Sequence, residues 1–313
     1  MNPVRSLLVA PLAFAACGGV NDTNGKVPDA AMVDGAPSTP RCDPMAPFTS
    51  IAPVDELNRP EASVMGWDEY ARLSPDGLTV YFSTGRDGGQ LDIYKATRTS
   101  VDQRFGTPAP VEGVNTAAQE RTPTITADGL TMLAMQSGHP GYEIVIAQRA
   151  SLAAQFGSFA LLANVNSTTS DDGDTYVLPD GSALYFYSSR NGTPALYRAP
   201  RTATGYGDPS PVSGVKLNQP GIRDGAPVVS ADELSLYFWT DRDGAGTGTI
   251  YVATRPTLAD GFGAPVQVAG GVNTAENGEW PTWLSPDGCT LYFTRSQGNT
   301  AANYDVYVAR RSP

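Results

Sequence analysis

Short apolar runs return at a nearly fixed interval along this chain, each directly after the same polar turn. The turns share an aspartate, which glycine follows in four of five cases, and these aspartates are Asp76, Asp128, Asp180, Asp232 and Asp287. They are 52, 52, 52 and 55 residues apart. A period of this size predicts a repeat architecture, in which each unit buries its apolar surface against the next unit.

Each unit is predicted to contain four short strands. The run after each turn is apolar at consecutive positions, as in residues 80–82 and 236–238, so it must be buried on both faces. A second run and a Phe/Tyr-Gly to Pro-Val segment follow it. A further strand precedes each turn and ends at Leu73, Ile125, Val177, Val229 or Leu284. Turn residues recur about every ten residues, and no amphipathic helix is predicted, so the fold class is all-β.

A four-stranded sheet with two apolar faces needs a neighbour on each side, and radial stacking supplies both neighbours. The sequence therefore predicts a β-propeller of five four-stranded antiparallel blades over residues 46–313. The fifth unit stops at residues 308–310, before its last strand. The missing strand occurs at residues 48–54, so we expect this N-terminal strand to join the last blade and close the ring.

The N-terminus predicts export and a lipid anchor. Residues 1–16 carry one positive charge and a short apolar run, which is typical of a signal peptide rather than a membrane span. The ending before Cys17 resembles a bacterial lipobox and predicts lipidation of Cys17, with simple secretion as the alternative. Gly18 after the cysteine favours the outer membrane in a cell with two membranes. Residues 17–45 are rich in Gly, Asp, Pro, Ala and Ser and predict a flexible tether.

Two cysteines remain for an oxidising compartment, Cys42 and Cys289. Cys42 lies just before the proposed closing strand, and Cys289 follows the turn of the last blade. In an antiparallel blade these two places share one face, so we predict a disulfide that locks the ring and contributes about 4 kcal/mol. The alternative is a pair of unpaired buried thiols.

Charge and motifs exclude several function classes. The net charge is −11 and no Lys/Arg cluster occurs, so nucleic-acid binding is not expected. His139 is the one histidine, which excludes multi-histidine zinc sites and argues against a Ser-His-Asp triad; it is predicted in an exposed loop. The acidic turns at residues 171–174 and 241–244 lack the ligands of a calcium loop. No nucleotide-binding or nucleophile-elbow motif is present, so no metal or cofactor is predicted.

A carboxylate stands eight residues before each turn aspartate, where the innermost strand begins. These five residues are Asp68, Glu120, Asp172, Asp224 and Glu279. They are expected to ring one mouth of the central channel, with Arg86, Arg190 and Arg242 on the same face. One hypothesis is a polar mouth that binds a sugar, a peptide or a cation, or that uses paired carboxylates for glycoside cleavage. The structural alternative is that each carboxylate pairs with a rim arginine or with backbone N–H groups, since a residue repeated in every unit serves the repeat.

Residues that depart from the repeat are more informative about function. They are Glu69, Tyr70, Arg72, Arg121, Asp171, Asp174, Trp280 and Trp283. Trp67 and Trp280 flank two ring carboxylates, and Trp239 ends a strand near the same rim. The predicted binding rim consists of Trp67, Asp68, Glu69, Arg86, Glu120, Arg121, Asp172, Asp174, Arg190, Asp224, Arg242, Glu279 and Trp280.

The phrase at residues 73–83, LSPDGLTVYFS, together with residues 86–88 and 92–94, resembles the WD40-like repeat of bacterial envelope propellers such as the TolB family. The resemblance covers nearly all of residues 48–313. TolB-type repeats are shorter and number six to a ring, and TolB has an α/β domain that this sequence does not show. The resemblance implies a propeller whose repeated residues are structural, with no catalytic set to transfer.

The expected function is therefore an envelope-anchored binding or scaffold propeller that contacts a protein or a glycan, without catalysis and as a monomer. A glycoside-active enzyme is the alternative. It predicts a deep pocket with carboxylates about 5–9 Å apart and no arginine neutralising them. Binding predicts a shallow rim with arginine-paired acids.

Overall fold

The structure is a computed structural model, and it describes residues 41–59, 66–88, 90–138, 141–244, 247–298 and 303–313. Every regular element within these ranges is a β-strand, as the sequence predicts. No helix there is long and apolar enough to cross a bilayer. The predicted signal peptide, Cys17, most of the tether and His139 lie outside the described residues.

Each repeat of the sequence contributes strands in the same order. The first strands, which precede the Asp-Gly turns, are β2 (Gly66–Leu73), β6 (Glu120–Ile125), β10 (Asp172–Val177), β15 (Asp224–Val229) and β19 (Glu279–Leu284). The second strands are β3 (Thr79–Thr84), β7 (Thr131–Gln136), β11 (Ala183–Ser188), β16 (Ser235–Thr240) and β20 (Thr290–Ser296). The third strands are β4 (Asp92–Thr97), β8 (Glu143–Gln148), β12 (Ala195–Thr202), β17 (Thr249–Thr254) and β21 (Asn303–Arg310). All five first strands end at the residue that the sequence predicts.

The fourth strands are shorter than the predicted segments. They are β5 (Ala109–Pro110), β9 (Ala160–Leu161), β14 (Ser210–Pro211) and β18 (Val266–Gln267), with β1 (Ser50–Pro53) near the N-terminus. An extra two-residue strand, β13 (Gly205–Tyr206), forms a hairpin with the end of β12. Strands β5, β9, β14 and β18 have only two residues, with exposed side chains and, in β5 and β14, a proline, which keeps the edges of these sheets short.

Within each unit the strands pair antiparallel in sequence order, as in β6-β7-β8-β9 and β15-β16-β17-β18. In the last unit the neighbour of β21 is β1, with Ser50 opposite Arg310 and Pro53 opposite Tyr307. A short parallel contact of Gly66 with Asn303 also links β2 to β21. The contact between β2 and β21 joins the strands of the first and last units into one eight-stranded sheet, which includes β1.

The core lies between neighbouring sheets. Phe82, Phe186, Phe238 and Phe293 are all 0% exposed, and the tyrosines directly before them, which point to the other face, are at most 4% exposed. This confirms that the second strands of these units are buried on both faces. First strands touch in the order β2, β6, β10, β15 and β19, and β19 in turn contacts β2. Each unit therefore buries its apolar surface against two others.

The N-terminal segment is tied to the last unit by covalent and polar contacts. The predicted Cys42–Cys289 disulfide is present. Arg311 is 6% exposed and donates hydrogen bonds to the carbonyl oxygens of Pro44 and Ala46, both at 2.9 Å. Both links hold the residues before β1 against the C-terminal end of the chain.

Two further contacts recur in every unit. An arginine after the third strand stacks on an aromatic ring, in the pairs Arg98–Phe105, Arg149–Phe156, Arg201–Tyr206, Arg255–Phe262 and Arg311–Phe48. An asparagine bonds both backbone groups of one third-strand residue; Asn115, Asn166, Asn218 and Asn273 do so within units one to four. Asn58 makes the same two bonds to Val306. Residues 48–58 thus have the place in the last unit that residues 105–115 have in the first.

Candidate functional site

The five ring carboxylates lie near the start of the first strands and are all 0% exposed. In three units an arginine from the loop after the second strand donates to the carboxylate. These pairs are Arg86–Asp68 at 3.1 Å, Arg190–Asp172 at 2.8 Å and Arg242–Asp224 at 2.9 Å. The same carboxylates also accept backbone N–H bonds, from Arg59, Ser167 and Asn218 respectively.

The remaining two units satisfy the carboxylate in other ways. Glu120 accepts hydrogen bonds from the Thr116 hydroxyl at 2.6 Å and the Gln136 amide at 2.8 Å, because Gly138 stands where other units carry arginine. Glu279 accepts from Arg295 at 3.1 Å. Burial raises the pKa of Glu279 above its ordinary value.

All five carboxylates therefore accept hydrogen bonds from neighbouring groups of the protein, as the structural alternative describes. They are fully buried, and their part in a ligand-binding rim stays a prediction. The arginines of these pairs, Arg86, Arg190 and Arg242, are each bound to a carboxylate, and their side chains are only 11–22% exposed. The contacts hold the sheets together rather than offer free acid or base.

The next residue along each first strand points to the opposite side, since side chains alternate along a strand. These positions hold Glu69, Arg121, Gly173, Gly225 and Trp280. Arg121 donates two hydrogen bonds to Glu69, from Nε at 2.7 Å and from Nη2 at 3.0 Å. This bidentate pair joins the first and second units, and the Arg121 side chain remains 22% exposed.

A bulge interrupts each first strand directly after these positions in units one to four, and after Pro281 in the fifth. Four non-glycine residues there have left-handed backbone conformations: Tyr70, Thr122, Asp174 and Ala226, with φ between 45° and 54°. Bulges of this kind re-aim side chains and are found near functional sites. Asp174 accepts the Ala226 N–H at 3.1 Å and the Tyr70 hydroxyl. Burial raises the pKa of both Asp174 and Tyr70.

Four aromatic rings form a continuous row across the last unit and its neighbours. Trp239 stacks on Trp280 with centroids 6.3 Å apart and planes 11° apart. Tyr304 meets Trp280 edge-on at 5.5 Å and lies 6.2 Å from Trp67. All four side chains are partly exposed. We call Trp67, Trp239, Trp280 and Tyr304 the aromatic row.

Residue size on paired strands explains where the large rings lie. Gly173 is opposite Tyr187 and Gly225 is opposite Trp239. In the fifth unit the order is reversed, since Trp280 on the first strand is opposite the small Thr294. A large ring on one strand thus covers the space that the partner strand leaves open. Arg223 extends the surface, with its guanidinium 5.3 Å from the Trp239 ring.

The sequence flagged Trp67, Trp239 and Trp280 but missed Tyr304, Tyr187 and Arg223. Tyr304 lies on β21, whose extension toward β2 has no counterpart in other units. The glycines at 173 and 225, each paired with an aromatic residue, are the sequence signal that could have located the surface.

The acidic turns make protein contacts of their own. Asp171 accepts the Tyr142 N–H at 2.9 Å, and Asp241 pairs with Arg223 at 2.8 Å. Within the described ranges, no group of three or more His, Cys, Asp or Glu side chains is placed to hold a metal ion. Arg72 and Trp283, the other departures from the repeat, line a separate cavity nearer the turns.

No protein-family model matches this sequence, and no curated protein gives a significant match. Solved structures match by fold. A protein assigned as TolB from Agrobacterium tumefaciens is 16% identical over 77% of this chain and 76% of its own, with a TM-score of 0.51. An α-L-arabinofuranosidase from Podospora anserina, solved with cellotriose, is 12% identical over 86% of this chain and 98% of its own, with a TM-score of 0.54.

A TolB from Acinetobacter baumannii is 16% identical over 79% of this chain and 55% of its own length, with a TM-score of 0.48. This chain therefore spans about half the length of that protein. Identities this low show a fold and not an activity. The chain has a β-propeller fold like that of the Agrobacterium TolB structure.

Proposed function

We propose that this chain is a binding propeller of the cell envelope, without catalysis of its own, which presents the aromatic row to a protein or glycan ligand. The observation that supports the proposal most strongly is the contrast between two sets of side chains near the start of the first strands. Every ring carboxylate is buried and bonded, while four large aromatic side chains stay partly exposed beside the Glu69–Arg121 pair. Trp, Tyr and Arg are the side chains that dominate binding hot spots.

A ring of five blades, of the WD40-like repeat type, is the architecture we propose for this platform. Its support is the contact of β19 with β2 and the pairing of β1 with β21. The Arg311–Phe48 stack, 4.5 Å from guanidinium carbon to ring centroid, reproduces in the last unit a contact found in the others. The Cys42–Cys289 bond would lock this closure. A closed ring makes the mouth rigid, which lowers the entropy cost of binding.

The platform is proposed to act as a monomer tethered to the outer membrane. Support comes from the sequence of residues 1–45, which is typical of a signal peptide, a lipidation site at Cys17 and a flexible linker. A structural disulfide fits an oxidising compartment outside the cytoplasm. Metabolic labelling with a fatty-acid analogue tests the anchor: label on the wild type and none on Cys17→Ser is the expected result.

Glycoside cleavage is the weaker alternative. It needs one carboxylic acid and one carboxylate free on either side of the scissile bond. The ring carboxylates instead accept bonds from Arg86, Arg190, Arg242, Arg295 and Gln136. The likeness to an arabinofuranosidase is one of fold. Release of sugar product from a broad glycan panel by the purified full chain would replace the binding proposal with the enzymatic one.

Binding is tested with two tryptophan variants three residues apart on β19. Trp280 belongs to the aromatic row, whereas Trp283 lines cavities toward the other end of the strand. The full chain, Trp280→Ala and Trp283→Ala are each used to capture ligands from envelope extract and on a glycan array. We expect a defined ligand whose capture falls at least about tenfold for Trp280→Ala and is kept by Trp283→Ala. Equal capture by all three proteins would refute the proposed ligand face.

A further inference from the structure

Arg72 is a buried cation in a place where the other repeats carry none. It stands four residues before the first turn aspartate, and the equivalent residues are Thr124, Tyr176, Val228 and Trp283. Its side chain is 2% exposed, and the guanidinium lies 4.9 Å from the centre of the Tyr176 ring. This contact supplies some attraction but no hydrogen-bond acceptor.

The guanidinium makes no hydrogen bond within the described part of the chain: Nε, Nη1 and Nη2 are all unpartnered. An arginine side chain carries five N–H donors, and burying them without acceptors is unfavourable. Burial lowers the pKa of Arg72 to about 10, so it stays protonated at neutral pH. A positive charge is therefore held inside the protein with its donors free.

The nearby carboxylates are already engaged. Glu69 receives both of its hydrogen bonds from Arg121. Asp174, two residues before Tyr176 on β10, accepts the Ala226 N–H and the Tyr70 hydroxyl. Asp174 acts on Arg72 through space without a direct bond.

Arg72 lines a small cavity of about 40 Å³ together with Thr124, Tyr176 and Trp283. The turn residues around it are Pro75, Pro179, Ala231 and Pro286, which offer no charge. A water molecule needs roughly 10–15 Å³ measured in this way, so the space takes about three waters or one small anion. The Thr124 oxygen accepts the Val177 N–H at 3.1 Å, and its own O–H can donate into the cavity.

We propose that this cavity is a binding site for a small monovalent inorganic anion such as chloride, held by the Arg72 guanidinium and the Thr124 hydroxyl. The anion supplies the acceptor that the buried donors lack and balances their charge where the dielectric is low. A guanidinium is weakly hydrated, so replacing its water with a halide is favourable. A halide ion fits a space of about 40 Å³. The site lies toward the opposite end of the first strands from the aromatic row, and it does not depend on the proposed function.

The first test measures thermal unfolding of the full chain at constant ionic strength while sodium chloride replaces sodium gluconate, whose anion exceeds the cavity. An anion that binds only the folded state raises the unfolding midpoint, and we expect a saturating rise of about 2–4 °C. Arg72→Met, of similar length but without charge, should lose this rise. The control is Arg149→Met, because Arg149 also stacks on an aromatic ring but bonds the Gly129 carbonyl. It should keep the rise.

The second test needs no variant and therefore holds even if Arg72→Met does not fold. Crystals of the full chain are soaked in sodium bromide, and the anomalous signal of bromine is mapped. A peak within hydrogen-bond distance of the Arg72 guanidinium supports the site. An empty or water-filled cavity, equal midpoints in the two salts, or a chloride effect that persists in Arg72→Met would each overturn it.

Discussion

Two adjacent positions on the same strands behave in opposite ways. The first carries a carboxylate in all five units, which is fully buried and accepts hydrogen bonds from the protein. The second carries Glu69, Arg121, Gly173, Gly225 and Trp280, which share neither charge nor size. In three units the repeated position binds an arginine of the loop after the second strand, and in the other two it binds side chains of the second strand and of the segment before the first strand. The unrepeated position faces neighbouring units and is free to differ, so it is where a single ligand surface can develop.

The largest loss of folding stability is expected when the carboxylate at the repeated position is removed. Asp224→Ala leaves Arg242 with its guanidinium buried, 11% exposed and without its carboxylate. Removing one partner of a buried ion pair costs about 3–5 kcal/mol. Asp241→Ala is the matched control, since its partner Arg223 is 51% exposed and such pairs contribute about 1 kcal/mol or less. Urea unfolding of the two variants should separate them clearly; similar losses would mean that burial does not set the value of these pairs.

The second prediction concerns the disulfide, which links the N-terminal segment to the last unit rather than acting within one unit. Cys42 and Cys289 are 247 residues apart in sequence. A crosslink that closes so long a loop restricts the unfolded chain, and Cys289→Ser is expected to lower the unfolding free energy by about 4 kcal/mol. Urea unfolding under non-reducing conditions measures it. Intact-mass analysis after alkylation that finds two free thiols in the wild type would contradict the account.

Two glycine variants test how much side-chain space the unrepeated position offers in the third and fourth units. A Cβ on Gly173 would overlap the Met135 sulfur and approach Tyr187 to 3.1 Å, whereas a Cβ on Gly225 meets its neighbours only at 3.4 Å or more. Gly173→Ala should therefore destabilise by about 1–2 kcal/mol through overpacking, and Gly225→Ala should have little effect. Thermal unfolding of both variants checks this. An equal cost at both positions would show that side-chain space does not distinguish these units.

The smallest predicted effect is a pH dependence. Burial, followed by the carboxylates of Asp172 and Asp171, raises the pKa of Glu143 to about 7. Between its unfolded value of about 4.5 and pH 7, the unfolded state releases the proton while the folded state keeps it, so this group lowers stability as pH rises. Glu143→Gln should be more stable than the wild type by about 1 kcal/mol at pH 8 and equal to it below pH 4.5. A gain that is the same at both pH values would contradict the assignment.

The sequence predicted what the repeat dictates. The ends of the five first strands and the arginines beside Asp68, Asp172 and Asp224 follow from positions that recur at one spacing, and the disulfide follows from the places of Cys42 and Cys289 beside the closing strand and the last turn. The partners of Glu120 could not be predicted, because Gln136 and Thr116 replace an arginine in that unit alone. The sequence also did not predict that Tyr304 belongs to the aromatic row, because Tyr304 lies in a local extension of β21 that the other units lack.

Arg72 shows most clearly which features the sequence alone does not predict. The sequence identifies it as a departure from the repeat, but whether a buried guanidinium finds an acceptor depends on distances across several units. Those distances follow from the bulges and from the bonds that already occupy Glu69 and Asp174. The repeat period identifies a residue that departs from the pattern, and the three-dimensional packing determines whether its charge finds a hydrogen-bond acceptor.

The most direct test of the aromatic row as the ligand face is site-specific photo-crosslinking in the native host. A photoreactive amino acid replaces Trp280, and the control replaces Thr97, an exposed residue on β4 outside the row. The account predicts one defined adduct, protein or glycan, from position 280 and none from position 97. Equal labelling at both positions, or no adduct of either kind at position 280, would contradict it.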